Sequence, residues 1–417
     1  MFDSTQLAEL RRQYKAYCAK GLKLNMARGI PCTEQIDLSQ PMLNILSSAE
    51  ECRAKAGNDC RTYAGALFDG LPEAKDFFAE VYGIPRENII VGGNSSLILM
   101  YDTVARAMLY GVVGSEKPWC RREKVKVLCP VPGYDRHFRI TQSLGFELIP
   151  VEMTHEGPDM DTVERLAGED DAIVGIWCVP KYSNPSGCVY SPETVRRLAQ
   201  MKTAAPDFRI LWDNAYGVHD LYEPIELTDI FEECRKAGTY DRVFYFGSTS
   251  KITFPGAGVA FMAASPANLE QIKPILAAQT MGSDKLNQLR PVRFLKDAAG
   301  VRAHMQRHAA ILRPKFDIVL NTFARELTGI AEWGNPRGGY FISLDVPDGC
   351  AKRVYALMKA AGVTLTDAGA TYPCGIDPRD RNLRIAPTYP TCDELQTAID
   401  ILCVCVKLAA AEKELQA

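Results

Sequence analysis

The chain has 417 residues, 47% hydrophobic and 24% charged, and its 48 basic against 51 acidic residues leave a formal charge of −3. A balance so near neutral gives no electrostatic case for nucleic acid or an anionic membrane as partner. No run approaches the apolar length that spans a bilayer, and Met1 to Lys23 mixes Asp3 and Glu9 with lysines and arginines where a signal peptide needs a continuous apolar core.

The length predicts two domains in one chain. The 14 cysteines are scattered without a CxxC pair, and Cys129, Cys178 and Cys403 sit in apolar runs where a reduced thiol packs as a small hydrophobe. A cytoplasmic setting is therefore expected.

In chain order, the N-terminal stretch reads as a short amphipathic helix, and Asn25-Met-Ala-Arg-Gly-Ile-Pro31 is turn-rich with an isolated Arg28. Thr62-Tyr-Ala-Gly65 is a loop in which Tyr63 is locally either a packed aromatic or a reaching phenol. Pro72 opens a helix through Phe77 and Val81. Ile89 to Val91 is a short strand, and Gly92-Gly-Asn-Ser-Ser96 turns it into a helix whose expected apolar face is Leu97, Tyr101, Val104 and Met108. A strand, a glycine turn and a helix N-terminus together suit an anion, because free backbone N–H groups and the helix dipole both favour negative charge.

Strands then alternate with helices. Lys126 to Cys129, Phe146 to Val151, Ala172 to Val179 and Phe208 to Trp212 are the strands, and Ser191-Pro192 caps a helix containing Val195, Leu198 and Met201. This alternation predicts a mostly parallel sheet with its site at the strands' C-terminal ends. From about Ala267 the pattern is helical, with long segments over 285–302 and 305–326. Short strands follow at Gly338 to Leu344 and Asn382 to Ala386. Thr391-Cys-Asp-Glu394 is a capping box that opens a final helix with Leu395, Ile399, Leu402 and Val406 on one side. His304 and His308 have the i,i+4 spacing of a zinc helix, but Met305 stands where that motif needs a glutamate, so no metal is expected.

The most informative stretch is Asp241 to Gly258. An apolar, aromatic run turns abruptly into Gly247-Ser248-Thr249-Ser250 and presents Lys251, before Pro255, Gly256 and Gly258 break any long helix. A lysine among small, hydroxylic and apolar neighbours loses solvation of its ammonium form. Its pKa falls, and the neutral amine can attack a carbonyl to form a Schiff base. Two further clusters also follow predicted strands, Ser183-Asn-Pro-Ser-Gly187 and Asp213-Asn-Ala-Tyr216.

In this order the three clusters resemble the signature of fold-type I pyridoxal-phosphate aminotransferases, over about Thr62 to Arg384. The wording Ser-Thr-Ser-Lys-Ile-Thr, with Arg-Gly-Ile-Pro and Asn-Gln-Leu-Arg, is most similar to a divergent bacterial subgroup of aspartate aminotransferases. The resemblance implies a three-layer α/β/α large domain with a mostly parallel sheet over 51–324. A smaller α+β domain would be built from 1–50 and 325–417. It implies pyridoxal 5′-phosphate as cofactor and a homodimer acting on amino-acid and 2-oxo-acid substrates. Lys251 would hold the cofactor and shuttle the proton between substrate Cα and cofactor C4′. Asp213 would pair with the pyridine nitrogen, and His137 would hold Asp213. Tyr216 and Asn184 would bond the phenolic oxygen, and Tyr134 would stack on the ring. Gly93, Asn94, Ser248 and Ser250 would bind the phosphate, joined by Tyr63 from the neighbouring subunit. Arg384, with Asn184 and Gly29, would receive the substrate carboxylate.

One departure stands out. The family pattern places an arginine eight residues after the lysine, on the phosphate, and here that residue is Val259. Lys285 is the candidate replacement and Arg290 the candidate for a substrate's distal group, with Arg28, Arg136 and Lys181 next. The implied reaction is transfer of an amino group from aspartate or a related amino acid to 2-oxoglutarate. A β-lyase or decarboxylase would keep the same fold and cofactor. A non-catalytic regulator is disfavoured, since neither terminus offers the length or basic charge of a DNA-binding segment.

Overall fold

The computed structural model describes residues 2–63 and 67–415; Met1 and, in the tyrosine loop, Ala64 and Gly65 lie outside the described residues. An eight-stranded sheet has the spatial order Ile89–Val91, Ala260–Ala263, Val243–Ser248, Arg209–Asp213, Ile173–Cys178, Lys126–Val131, Glu147–Thr154, Gly157–Pro158. From Val243–Ser248 to Glu147–Thr154 neighbouring strands pair in parallel. The outer pairings are antiparallel. Ala260–Ala263 is not among the expected strands; it follows the glycine-rich turn directly and completes the sheet between two others.

The central strands are buried at every residue of Ile173–Cys178 and Arg209–Asp213, as strands covered on both faces must be. Separate hydrophobic clusters line the two faces: Phe77, Ile210, Trp212 and Phe261 belong to one, and Val104, Phe138, Trp177 and Phe246 to the other. A third cluster gathers the C-terminal elements. There the helix Cys392–Glu414, opened by the Thr391–Glu394 capping box, buries Leu395, Ile399, Leu402 and Val406. Each of these side chains contributes roughly 2 kcal/mol of apolar burial. It packs against the helices Ser4–Cys18 and Ala298–Glu326. A parallel pairing of Leu24–Asn25 with Val363–Thr364 ties the N-terminal segment to this portion, beside a three-stranded antiparallel sheet that includes Ile342–Asp345 and Asn382–Ile385.

Two expectations need correction. The long helices are Lys285–Leu295 and Ala298–Glu326, so the break falls well before the expected one near residue 303. Lys296 takes a left-handed φ of 69°, and the Asp297 carboxylate accepts from the Gly300 N–H (2.7 Å) to cap the second helix. The helix Ser96–Tyr110 buries Leu99, Met100, Thr103, Val104 and Ala107, while Tyr101 is exposed. Its contacts with Val243–Ser248 and Ala260–Ala263 select that face, which leaves Leu97 to the cavity described below.

Candidate active site

Strand Val243–Ser248 ends in a turn locked by hydrogen bonds centred on Thr249. The Thr249 N–H donates to Val259 O (2.8 Å), the Val259 N–H to Thr249 Oγ1 (2.9 Å), and the Ile252 and Thr253 N–H groups to Thr249 O (2.9 and 2.8 Å). Gly258 allows the turn to close, since a Cβ there would lie 2.6 Å from Ser250 Oγ and 2.9 Å from Ser250 Cα. Lys251 projects from this turn with its Nζ 5.0 Å from the centre of the Tyr216 ring. Desolvation lowers its pKa, and the charge of Asp213 partly opposes that shift.

Behind the lysine lies a buried polar chain. The Tyr340 hydroxyl donates to Lys251 O (3.2 Å), and His219 Nε2 stands 3.4 Å from the same oxygen. His304 Nε2 is 2.8 Å from Ile252 O, and Gln35 Nε2 reaches His308 Nδ1 (2.8 Å) and Tyr340 Oη (3.0 Å). Burial pushes His219 and His308 down to about 3. The His304–His308 spacing thus serves packing against the lysine turn, a role that sequence spacing alone does not reveal.

Asp213, at the end of its strand, is buried, and its Oδ2 accepts from His137 Nε2 at 2.9 Å. The His137 ring stacks on Trp177, with centroids 4.2 Å apart and planes within 4°. Asp213 Oδ1 has no hydrogen-bond partner among the described residues. Tyr134 meets His137 edge-on at 5.0 Å. Burial raises its phenol to about 12 and raises the buried Tyr216 hydroxyl as well.

These groups open onto one cavity of about 350 Å³. It is lined by Gly29, Tyr134, Asn184, Asp213, Tyr216, Ser248, Ser250, Lys251 and Arg384, nine of the residues singled out in the sequence. Ser95, Ser96 and Leu97 also line it. They form the first turn of the helix Ser96–Tyr110, where Ser95 Oγ accepts from the Leu97 N–H (3.2 Å). Gly93 and Asn94 lie one step back from the lining, with Asn94 O accepting from Ser250 Oγ (3.0 Å). The strand–glycine–helix pattern located this turn, but its cavity-facing residues start at the cap.

Val259 is buried in an apolar cluster, just before the strand Ala260–Ala263. The cations lining the cavity are Arg28, Arg136, Lys251 and Arg384. Lys285 is turned into its own segment, donating to Ser283 O (3.1 Å), and Arg290 is likewise absent from the lining. Lys181 pairs with Asp220 (2.9 Å) and faces a separate groove. Tyr63 is 73% exposed and does not line its own chain's cavity.

Arg384 forms the opposite wall. Its Nη1 lies 3.2 Å from Asp135 Oδ1 and 3.4 Å from Asn184 Oδ1, and its Nη2 lies 3.2 Å from Thr366 Oγ1. Its guanidinium sits 4.9 Å from the centre of the Phe341 ring. Phe341 packs so closely on Gly29 that a Cβ there would lie 2.0 Å from a ring carbon. Gly29 therefore brings the N-terminal segment onto the ring that supports Arg384. Asp135 and Thr366 are partners that the motifs did not reveal.

A family profile described as aspartate amino-transferase matches residues 3–417. An aspartate aminotransferase of Corynebacterium glutamicum is 44% identical over 418 residues, covering 99% of this chain and 96% of that protein. The crystal structure of an aspartate transaminase from the same species superposes with a TM-score of 0.95 at 43% identity, over 99% of this chain and 98% of that one. A 2-aminoadipate transaminase of Thermus thermophilus is 26% identical over 82% of this chain and 80% of its own length. With a profile that spans nearly its whole length and a relative this similar from end to end, the chain belongs to the aspartate aminotransferase family.

Proposed function

We propose that this aminotransferase moves an amino group from L-aspartate, or a related amino acid, to 2-oxoglutarate by a ping-pong route. The observation that carries the reading is the convergence of Lys251, the unpartnered Oδ1 of Asp213 and Arg384 on one cavity. Two further cations on its lining, Arg28 and Arg136, support a substrate with a second carboxylate. The aspartate aminotransferase name of the C. glutamicum relative supports the same donor.

The cofactor is pyridoxal 5′-phosphate. The residues present fit it. A buried carboxylate oxygen without a partner suits a pyridine N–H, and a helix N-terminus flanked by Ser95, Ser96, Ser248 and Ser250 suits a phosphate. When bound, the cofactor supplies a carbonyl that captures the amino group and an electron-withdrawing ring that eases loss of the α-proton.

The chain's own residues divide the remaining work. Lys251, whose pKa desolvation lowers, would hold the cofactor and would then be placed to move a proton between the substrate Cα and C4′. Asp213, anchored by His137, would hold the proton on the pyridine nitrogen. Tyr216 and Asn184 would orient the phenolic oxygen, Tyr134 would cover the ring, and Arg384 would grip the α-carboxylate. Gly93 and Asn94 belong to the phosphate turn. Tyr63, exposed in its own chain, acts in the site of a second subunit, so the working form is a homodimer. We place it in the cytoplasm, and no helix among the described residues is long and apolar enough to cross a membrane. The division into 51–324 and a second domain from 1–50 and 325–417 is part of this reading.

The test is to incubate the purified protein with a panel of amino acids plus 2-oxoglutarate and to measure glutamate. Aspartate should be among the fastest donors. Glutamate formed only from neutral donors would overturn the aspartate assignment, and none from any donor would overturn the acceptor.

A further inference from the structure

Arg384 is already met by a carboxylate of its own chain. Asp135 is the first residue of the helix Asp135–Ser143, directly after Tyr134, and its Oδ1 lies 3.2 Å from Arg384 Nη1. The contact is single, and the same Nη1 is shared with Asn184 Oδ1 at 3.4 Å. Arg384 Nε is buried and has no hydrogen-bond partner among the described residues. The guanidinium is therefore charge-paired but keeps donor capacity unused, whereas a free carboxylate can take a two-pronged bond from it. Asp135 also has a second cation within reach: its Oδ2 is 3.9 Å from Nε of Arg136, a residue that is half exposed and lines the cavity.

We propose that Asp135 is a displaceable stand-in for the substrate's α-carboxylate. It holds Arg384 in place in the absence of substrate and turns to Arg136 when a carboxylate arrives. The inference rests on the reading of Arg384 as the α-carboxylate receptor. Two carboxylates on one guanidinium would repel each other, so binding must either move Asp135 or bear that repulsion. The stand-in thus lowers apparent carboxylate affinity in proportion to the fraction of molecules in which Arg384 is occupied. It also makes Asp135 and Arg136 determinants of how strongly acids of different charge bind.

Calorimetric titration of the holoenzyme with succinate, which carries the carboxylates but no amino group, tests this directly. Asp135→Asn keeps the shape and removes the competing charge, and should tighten succinate binding about tenfold if Arg384 is free in about a tenth of molecules. Asp135→Ala should tighten it in the same direction. Arg136→Ala should weaken binding in the wild-type background by more than in the Asp135→Asn background, because the partner of the displaced carboxylate matters only while that carboxylate exists. Arg384→Ala separates the two claims. If it binds succinate as the wild type does, the reading of Arg384 fails. If it loses binding while Asp135→Asn and Asp135→Ala bind no more tightly than wild type, Arg384 stands and the stand-in is overturned.

Discussion

The two walls of the cavity handle charge in opposite ways. On the strand side, Asp213 is buried, fixed by His137 and backed by the Trp177 stack, with one oxygen held and one left for a ligand. On the other side, Asp135 lies between Arg384 and Arg136, with Arg28 also on the lining, and on the proposed reading these partners trade places. A group that must keep one charge and one direction is set where packing leaves it no alternative. Groups that must accept several acids are set where partners can trade. On the proposed reading, the first wall serves catalysis and the second serves selection.

Breaking the fixed wall should have the largest effect. On the proposed reading Asp213→Asn removes the charge that would keep the pyridine nitrogen protonated, so α-proton exchange followed by NMR in deuterated buffer should slow at least ~100-fold with cofactor still bound. Exchange at the wild-type rate would mean that this carboxylate does not carry the chemistry.

The adaptable wall should respond differently. Arg384→Lys keeps the charge but loses the fork, so KM for both donor and acceptor should rise roughly tenfold or more, with kcat less affected. Unchanged KM for both acids would move the carboxylate site elsewhere, with Arg28 the next candidate.

A separate effect, on stability and not on turnover, concerns the buried histidines behind Lys251. His219 and His308 stay neutral in the folded protein down to about 3, whereas an unfolded histidine takes up its proton near 6.5. The unfolded state binds more protons in that window. The stability these groups contribute is therefore complete above pH 6.5 and is lost as pH falls below it, by roughly 2 kcal/mol per group at pH 5. Urea midpoints at pH 7.5 and 5 should show the loss, and His308→Asn should reduce it. A midpoint that does not change with pH would show that these rings are not held neutral.

The sheet was legible because its strands are short apolar runs punctuated by glycine, proline and polar clusters, and a parallel strand end is where such clusters collect. Lys251, Asp213 and Asn184 followed from that punctuation and from the family wording. The break at Lys296 was hidden because an Asp297-capped helix follows the previous one almost without interruption, and periodicity reads through so short a turn. Tyr101 was assigned to the wrong face because a helix rich in apolar residues all round gives no single stripe to select. Asp135, Thr366, Gln35 and Tyr340 had no motif at all. Their parts depend on which distant segments the fold brings against Arg384 and Lys251, and local spacing carries no record of that.

Cofactor attachment at Lys251 is the central claim. Reducing the pyridoxal 5′-phosphate-loaded protein with borohydride, digesting it and sequencing the labelled peptide by mass spectrometry reads the attachment point without any assay of turnover. The label should fall on Lys251 alone, and the Lys251→Ala protein should take up none while losing transamination. A label on Lys285 or another lysine, or a linkage that survives in Lys251→Ala, would contradict it.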